Sequence, residues 1–85
     1  MANYRLQIKQ SAARELEAVP LKDRRRIVRR VTALAKDPRP PGCEKLSGQE
    51  KYRVRQGDYR IVFAIDDEEL NVVVVKIGHR RDVYR

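Results

Sequence analysis

Apolar positions recur at two different periods along this chain, and each switch of period marks a new element. Near the start, Tyr4, Leu6 and Ile8 alternate with Arg5, Gln7 and Lys9, which predicts a half-buried strand. The spacing then lengthens. In SAARELEAV, residues 11–19, Ala12, Leu16 and Val19 share one helical face, Ser11 stands in capping position, and Glu15 lies toward the positive end of the dipole. Pro20 interrupts this pattern and suits the first turn of a second helix reaching about Lys36. Leu21, Ile27, Val28, Val31, Leu34 and Ala35 fall on its inward face, and Lys22, Arg25, Arg26, Arg29 and Lys36 on the opposite one. Asp37-Pro38 ends it, because a residue before proline avoids the helical region. Residues 37–50 form the longest loop and hold three of the four prolines and two of the four glycines.

Alternation returns at Lys51. Tyr52 and Val54 point one way, and Lys51, Arg53 and Arg55 the other. Gly57-Asp58 predicts a two-residue hairpin turn, with glycine supplying positive φ. In that register Arg55 faces Arg60 and Arg53 faces Val62, while Tyr59, Ile61, Phe63 and Ile65 join Tyr52 and Val54 on the core side. Asp66–Glu69 form an acidic turn, and Leu70–Ile77 reads as a central strand covered on both faces. The order is β-α-α-β-β-β. The expected fold class is α+β, with two N-terminal helices packed on one face of a four-stranded, mainly antiparallel sheet.

Eighty-five residues, 1–85, make one small domain with a thin core. Twenty Lys and Arg against 12 Asp and Glu give a net charge of +8, which favours nucleic acid or an acidic partner. The lone Cys43 excludes an internal disulfide, and nothing nearby in sequence activates it as a nucleophile. No apolar run approaches the ~20 residues of a membrane span, and the N-terminal stretch lacks a signal core, so a cytoplasmic location without membrane contact is expected. The carboxylates of the acidic turn are contiguous and read as solvated, so neither a metal nor another cofactor is expected.

The chemistry concentrates in the last third. Two arginines directly opposite each other repel, and a sheet tolerates the pair when an anion sits between them. The guanidinium fork matches phosphate oxygens and stays charged. Arg80 and Arg81 follow the last strand, and one of them is expected to reach the same surface; Tyr84 adds a ring suited to base stacking. The only histidine, His79, reads equally as an acid–base group or a solvated tail residue. The basic face of the second helix reads equally as an RNA contact or a solvated helix face.

These residues resemble the RelE family of toxin–antitoxin ribonucleases. The resemblance runs over nearly the whole chain: strand, two helices, the LSG before the hairpin, YRVRQGDYRIVFAID and GHRRDVYR. It implies a small protein that enters the ribosomal A site and cleaves the mRNA codon there without metal, by attack of a ribose 2′-hydroxyl on the adjacent phosphate. It also implies silencing by a cognate antitoxin. By position it assigns catalytic roles to Arg53, Arg55, Arg60, Arg80 and Tyr84. Arg60 and Arg80 would stabilise the phosphoryl oxygens, and Tyr84 would stack on the nucleotide. Lys51, Arg81, His79, Arg26 and Arg29 complete the expected RNA-binding set. Where a well-known enteric member carries lysines, this chain carries Arg53 and Arg55. Arginine does not give up its proton, so the general base stays open among Tyr84, Lys51, His79 and a purely electrostatic arginine.

Two further readings stand beside the ribonuclease. One is a ParE-like inhibitor of DNA gyrase, with the same fold and antitoxin logic and no cleavage of its own. The other is a catalytically inactive module that keeps only its antitoxin surface. The GHRRDVY tail favours the ribonuclease, since it brings arginine and tyrosine to the phosphate face. In either toxin reading the expected partner is an acidic, RelB-like antitoxin that folds on docking and covers the arginines; ribosome and mRNA are the further partners of the first.

Overall fold

The hairpin at Gly57 and the long β4–β5 pairing bring the C-terminal half into a sheet that the N-terminal strand then completes. In the computed structural model, residues 3–48 and 50–79 are described. The elements are β1 (Arg5–Ile8), α1 (Gln10–Glu17), α2 (Leu21–Ala33), β2 (Glu44–Lys45), β3 (Lys51–Gln56), β4 (Tyr59–Asp66) and β5 (Asn71–His79). The strands form one five-stranded mixed sheet in the order β1-β5-β4-β3-β2. β1 runs parallel to β5, and every other neighbouring pair is antiparallel. Both helices lie on one face, α1 over β5 and α2 toward β3 and β4.

The core follows from the two periodicities meeting. Ala12, Ile27, Val31 and Leu34 from the helical segments pack with Val54, Ile61, Phe63, Val72, Val74 and Ile77 from the strands. Phe63 is the largest wholly buried side chain, and the Tyr52 ring stacks near it at 6.0 Å between centroids. Full burial of a side chain of this size stabilises by about 1.5–3 kcal/mol.

The α+β class and the two helices on one sheet face agree with the sequence reading, and several details differ. A fifth strand, β2, pairs Glu44 with Arg53 and Lys45 with Tyr52; two residues are too few to show alternation. β1 is not half-buried. It is an edge strand, and Leu6 and Ile8 remain 37% and 39% exposed. α1 starts at Gln10 with Lys9 as its N-cap, so Ser11 lies inside the first turn and caps nothing. α2 ends at Ala33, short of Lys36, and Pro20 is its N-cap. Leu21 and Val28, placed inward by spacing, are exposed, because α2 buries only the narrow stripe through Ile27, Val31 and Leu34. Leu70 takes the left-handed turn conformation (φ 52°), so β5 begins at Asn71. β5 is covered on one face only: Val72, Val74 and Ile77 are buried, while Val73 and Val75 are half-buried.

A β-bulge explains the odd spacing of that set. Val62 faces Lys76 but Phe63 faces Val74, which leaves Val75 as an extra residue in β5. Parity therefore changes, and Ile77 and His79 join the helix-side face. β1 stops at Ile8 opposite Val74, so β5 runs on past its parallel neighbour. Glu15 of α1 meets that free stretch. One carboxylate oxygen accepts the Ile77 amide at 3.0 Å, and the other pairs with Lys76 Nζ at 3.0 Å.

The long loop is pinned in the same way. Both terminal nitrogens of Arg39 donate to the Asp67 carboxylate at 3.1 and 3.0 Å, and the Tyr4 hydroxyl donates to it at 2.7 Å. The Arg39 guanidinium, followed by the Tyr4 hydrogen bond, holds the Asp67 carboxyl below the usual carboxylate range.

Candidate nucleic-acid interface

The face of the sheet turned away from the helices is built by the other parity of β3 and β4. The hairpin turn sets its register. Gly57 adopts φ 61°, the conformation the first central position of a tight hairpin turn needs, and Asp58 does not share it. Arg55 therefore pairs with Arg60, Arg53 with Val62, and Lys51 with Ala64, as the alternation predicts. Side chains directly opposite in an antiparallel pair stand about 5 Å apart at Cβ. Arg53, Arg55 and Arg60 thus form a cationic patch toward the turn, and Lys51 extends it to the far end of β3. Val62 lies on the same face, is only 6% exposed, and gives the arginine stems an apolar floor.

The patch is not uniform. Arg53 is mostly covered and bonded through a terminal nitrogen to the Glu44 carboxylate, an ion pair made possible by β2. Hydrogen bonding to Arg53 holds the Glu44 carboxyl below its usual range, and the charges of Arg55 and Arg60 push the same way. Arg53 is thereby fixed in position, while Arg55, like Lys51, is exposed and Arg60 is half-buried. Glu44 escaped the sequence reading because it sits in a Pro/Gly-rich loop with no periodicity around it.

The remaining predicted site residues separate. His79 is not beside the arginines. It pairs with Tyr59 across the strands, its ring edge-on to the tyrosine at 5.7 Å, on the helix-side face where the Val75 bulge sends it. Arg26 and Arg29 lie on α2, on the helix side, and line a separate groove with Arg30 and Gln56. Arg80, Arg81 and Tyr84 fall outside the described residues. Burial pushes the Cys43 thiol above its ordinary range, which makes it a poorer nucleophile. Among the described residues, no three His, Cys, Asp or Glu side chains converge as a metal site. Among them, too, no helix is long and apolar enough to cross a membrane.

A guanidinium pair on the sheet face opposite the helices can bind a phosphodiester and stabilise charge that develops on its oxygens. Comparison with known proteins narrows the context. Residues 6–84 match the family model described as the ParE toxin of the type II toxin–antitoxin system parDE. Toxin RelG of Mycobacterium tuberculosis (strain ATCC 25618 / H37Rv) is 44% identical over 34 residues, 40% of this chain and 39% of RelG. The match thus spans about two fifths of that curated relative. Among solved structures, the toxin–antitoxin complex RelBE2 from Mycobacterium tuberculosis superposes with TM-score 0.82 at 26% identity, covering 93% of this chain and 100% of the other. The archaeal RelE–RelB complex from Pyrococcus horikoshii OT3 gives TM-score 0.83 at 25% identity, covering 95% and 99%.

Proposed function

We propose a function from one premise: the chain belongs to the family of ParE toxins of type II toxin–antitoxin systems, within the RelE/ParE superfamily. On that premise it acts as a ribosome-dependent endoribonuclease that cleaves mRNA in the A-site codon and so inhibits translation. The observation that carries this reading is the pairing of Arg55 with Arg60 on the sheet face turned away from the helices, with the tethered Arg53 alongside and Lys51 further along β3.

In the proposed reaction the ribose 2′-oxygen attacks the adjacent phosphorus, and the bond from phosphorus to the 5′-oxygen breaks. The 2′-hydroxyl proton passes to a base and the departing 5′-oxygen takes up a proton. The products are a 2′,3′-cyclic phosphate and a free 5′-hydroxyl. Arg55 and Arg60 hold the phosphoryl oxygens and stabilise their growing charge, and Arg53 fixes the phosphate's approach. Arg80 adds a further cation, and Tyr84 stacks on the nucleotide. With His79 turned to the other face, Lys51 and Tyr84 are the candidates for proton abstraction. The ribosome supplies in-line geometry that so few acid–base groups cannot impose alone. Lys51 and Arg81 bind flanking RNA.

An acidic antitoxin, RelB-like in kind, silences the toxin by covering the arginine face. The RelE–RelB complexes among the structural relatives support such a partner, and so does the charge of +8.

A second reading rests on the description of the matching family model, ParE: inhibition of DNA gyrase without RNA cleavage. Purified chain tested in parallel on ribosome-bound mRNA and in a gyrase supercoiling assay decides between them. Cuts confined to the A-site codon support the ribonuclease. Loss of supercoiling with intact mRNA supports the gyrase inhibitor.

A further inference from the structure

The arginines of α2 are not equivalent. Arg24 is structural: its guanidinium donates to the carbonyls of Glu17 at 2.8 Å and Val19 at 3.1 and 3.2 Å, closing the turn between the helices. Arg26, Arg29 and Arg30 instead line a groove of about 380 Å³ whose other walls are Ala33 and Gln56. Arg30 is steadied by the Pro41 carbonyl at 3.4 Å. Arg26 and Arg29 are exposed, and no carboxylate pairs with either among the described residues. Spacings of three and four place these three charges side by side on one helical turn, where like charges repel. An unbound chain gains nothing from that arrangement, and a bound anion reverses its sign.

The groove also sits where a second grip would be useful. Gln56, its wall on β3, immediately follows Arg55 of the opposite face and pairs with Tyr59, which pairs in turn with His79. Gln56, Tyr59 and His79 therefore form a row across the helix-side face at the hairpin end. The turn Gly57-Asp58 has cations on both sides: Arg55 and Arg60 on the open face, Arg26, Arg29 and Arg30 on the other.

We propose that this groove is a second seat for the RNA phosphodiester backbone, holding RNA outside the cleaved codon while the open face holds the scissile phosphate. The proposal rests on the ribonuclease reading only for which phosphate is scissile; the seat itself requires RNA binding and no cleavage. The lining favours backbone over protein. Among the described residues it is three guanidinium groups and a carboxamide, with Ala33 the one apolar side chain, whereas a docking helix needs a row of apolar anchors.

The test uses the full chain and a 2′-O-methyl RNA oligonucleotide, which binds but cannot supply the attacking hydroxyl. Affinity is measured across a salt series for wild type, Arg26→Gln/Arg29→Gln, Arg26→Lys/Arg29→Lys and Arg55→Gln/Arg60→Gln. Binding to empty ribosomes is measured in parallel. The Arg26→Gln/Arg29→Gln variant should bind roughly tenfold more weakly, with a salt slope shallower by about 1.4, the value for two lost phosphate contacts on single-stranded RNA. The double lysine variant should recover most of that slope, which a misfolded groove would not. A deficit on the oligonucleotide assigns the seat to messenger; a deficit on ribosomes alone assigns it to ribosomal RNA. Unchanged affinity and slope on both substrates would overturn the proposal in favour of a solvated helix face. Retained RNA binding with lost affinity for the acidic antitoxin would overturn it in favour of a protein-docking groove. A wild type that binds RNA through both faces yet leaves the codon intact sinks the ribonuclease reading and leaves the seat standing.

Discussion

On β4, Ile61 and Phe63 are wholly buried against the helices, while Arg60, one residue earlier, stands half-buried on the other face opposite Arg55. The same contrast holds on β3, where Val54 is buried between Arg53 and Arg55. One parity of each strand supplies the core, and the other supplies cations that contribute nothing to it and repel one another. The difference teaches that stability and anion chemistry in this chain are separable along the strands. It also shows what sets the arginines on one face: the hairpin register, locked from the opposite side, with the Glu44 ion pair holding Arg53 in addition.

The largest effect should come from breaking the buried parity. Phe63→Ala removes the biggest core side chain at a cost of about 3–5 kcal/mol, a large part of the roughly 5–15 kcal/mol that holds a small domain together. Chemical denaturation should show a much lower midpoint, and both faces should fail together. The exposed parity should behave in the opposite way. Arg60→Ala should lower codon cleavage about 10²–10³-fold, as loss of one preorganised charge stabiliser does, while the thermal midpoint moves far less than in Phe63→Ala, because Arg60 lies outside the core cluster. A matching loss of stability would mean that the arginine is structural and the two parities are not separable.

A smaller effect is expected where the helix layer meets the end of the sheet. Glu15→Ala leaves the Ile77 amide without its acceptor and Lys76 without its partner, which should cost about 1–3 kcal/mol. Amide exchange should quicken in β5 beyond Val74 before it does in β4. The smallest effect belongs to Glu44. Glu44→Gln should loosen Arg53 and raise affinity for non-cleavable RNA about twofold, by removing a competing anion. The pH dependence has a defined sign. The Glu44 carboxyl is held below its ordinary range, so the ion pair is intact above that range and is lost only as pH falls through the lowered value. Between about pH 5 and 8 the Glu44→Gln effect should therefore be constant. A difference that faded across neutral pH would assign it to another group.

Much of this arrangement is legible in the sequence because it rests on short-range rules. Gly57-Asp58 together with strict alternation on both sides is enough to place Arg55 against Arg60 and to separate Phe63 from Val62. What escapes is whatever alternation cannot encode. Four successive valines, Val72–Val75, carry no phase, so the bulge at Val75 is invisible, and with it the turn of His79 to the helix side. The exposure of Leu6 and Ile8 depends on which strand ends at the sheet edge, a property of topology rather than of local pattern. Glu44 and the groove beside Gln56 arise from tertiary approach of a loop and a helix to β3, and neither leaves a periodic mark.

The most direct measurement is codon-resolved cleavage of mRNA on purified ribosomes by the wild type and by Arg55→Ala/Arg60→Ala, with folding of each confirmed by thermal melting. The account predicts A-site cuts by the wild type, ending in a 2′,3′-cyclic phosphate, and their near-complete loss in an equally stable variant. Equal cleavage by both proteins would contradict it, and so would intact mRNA beside a folded wild-type chain.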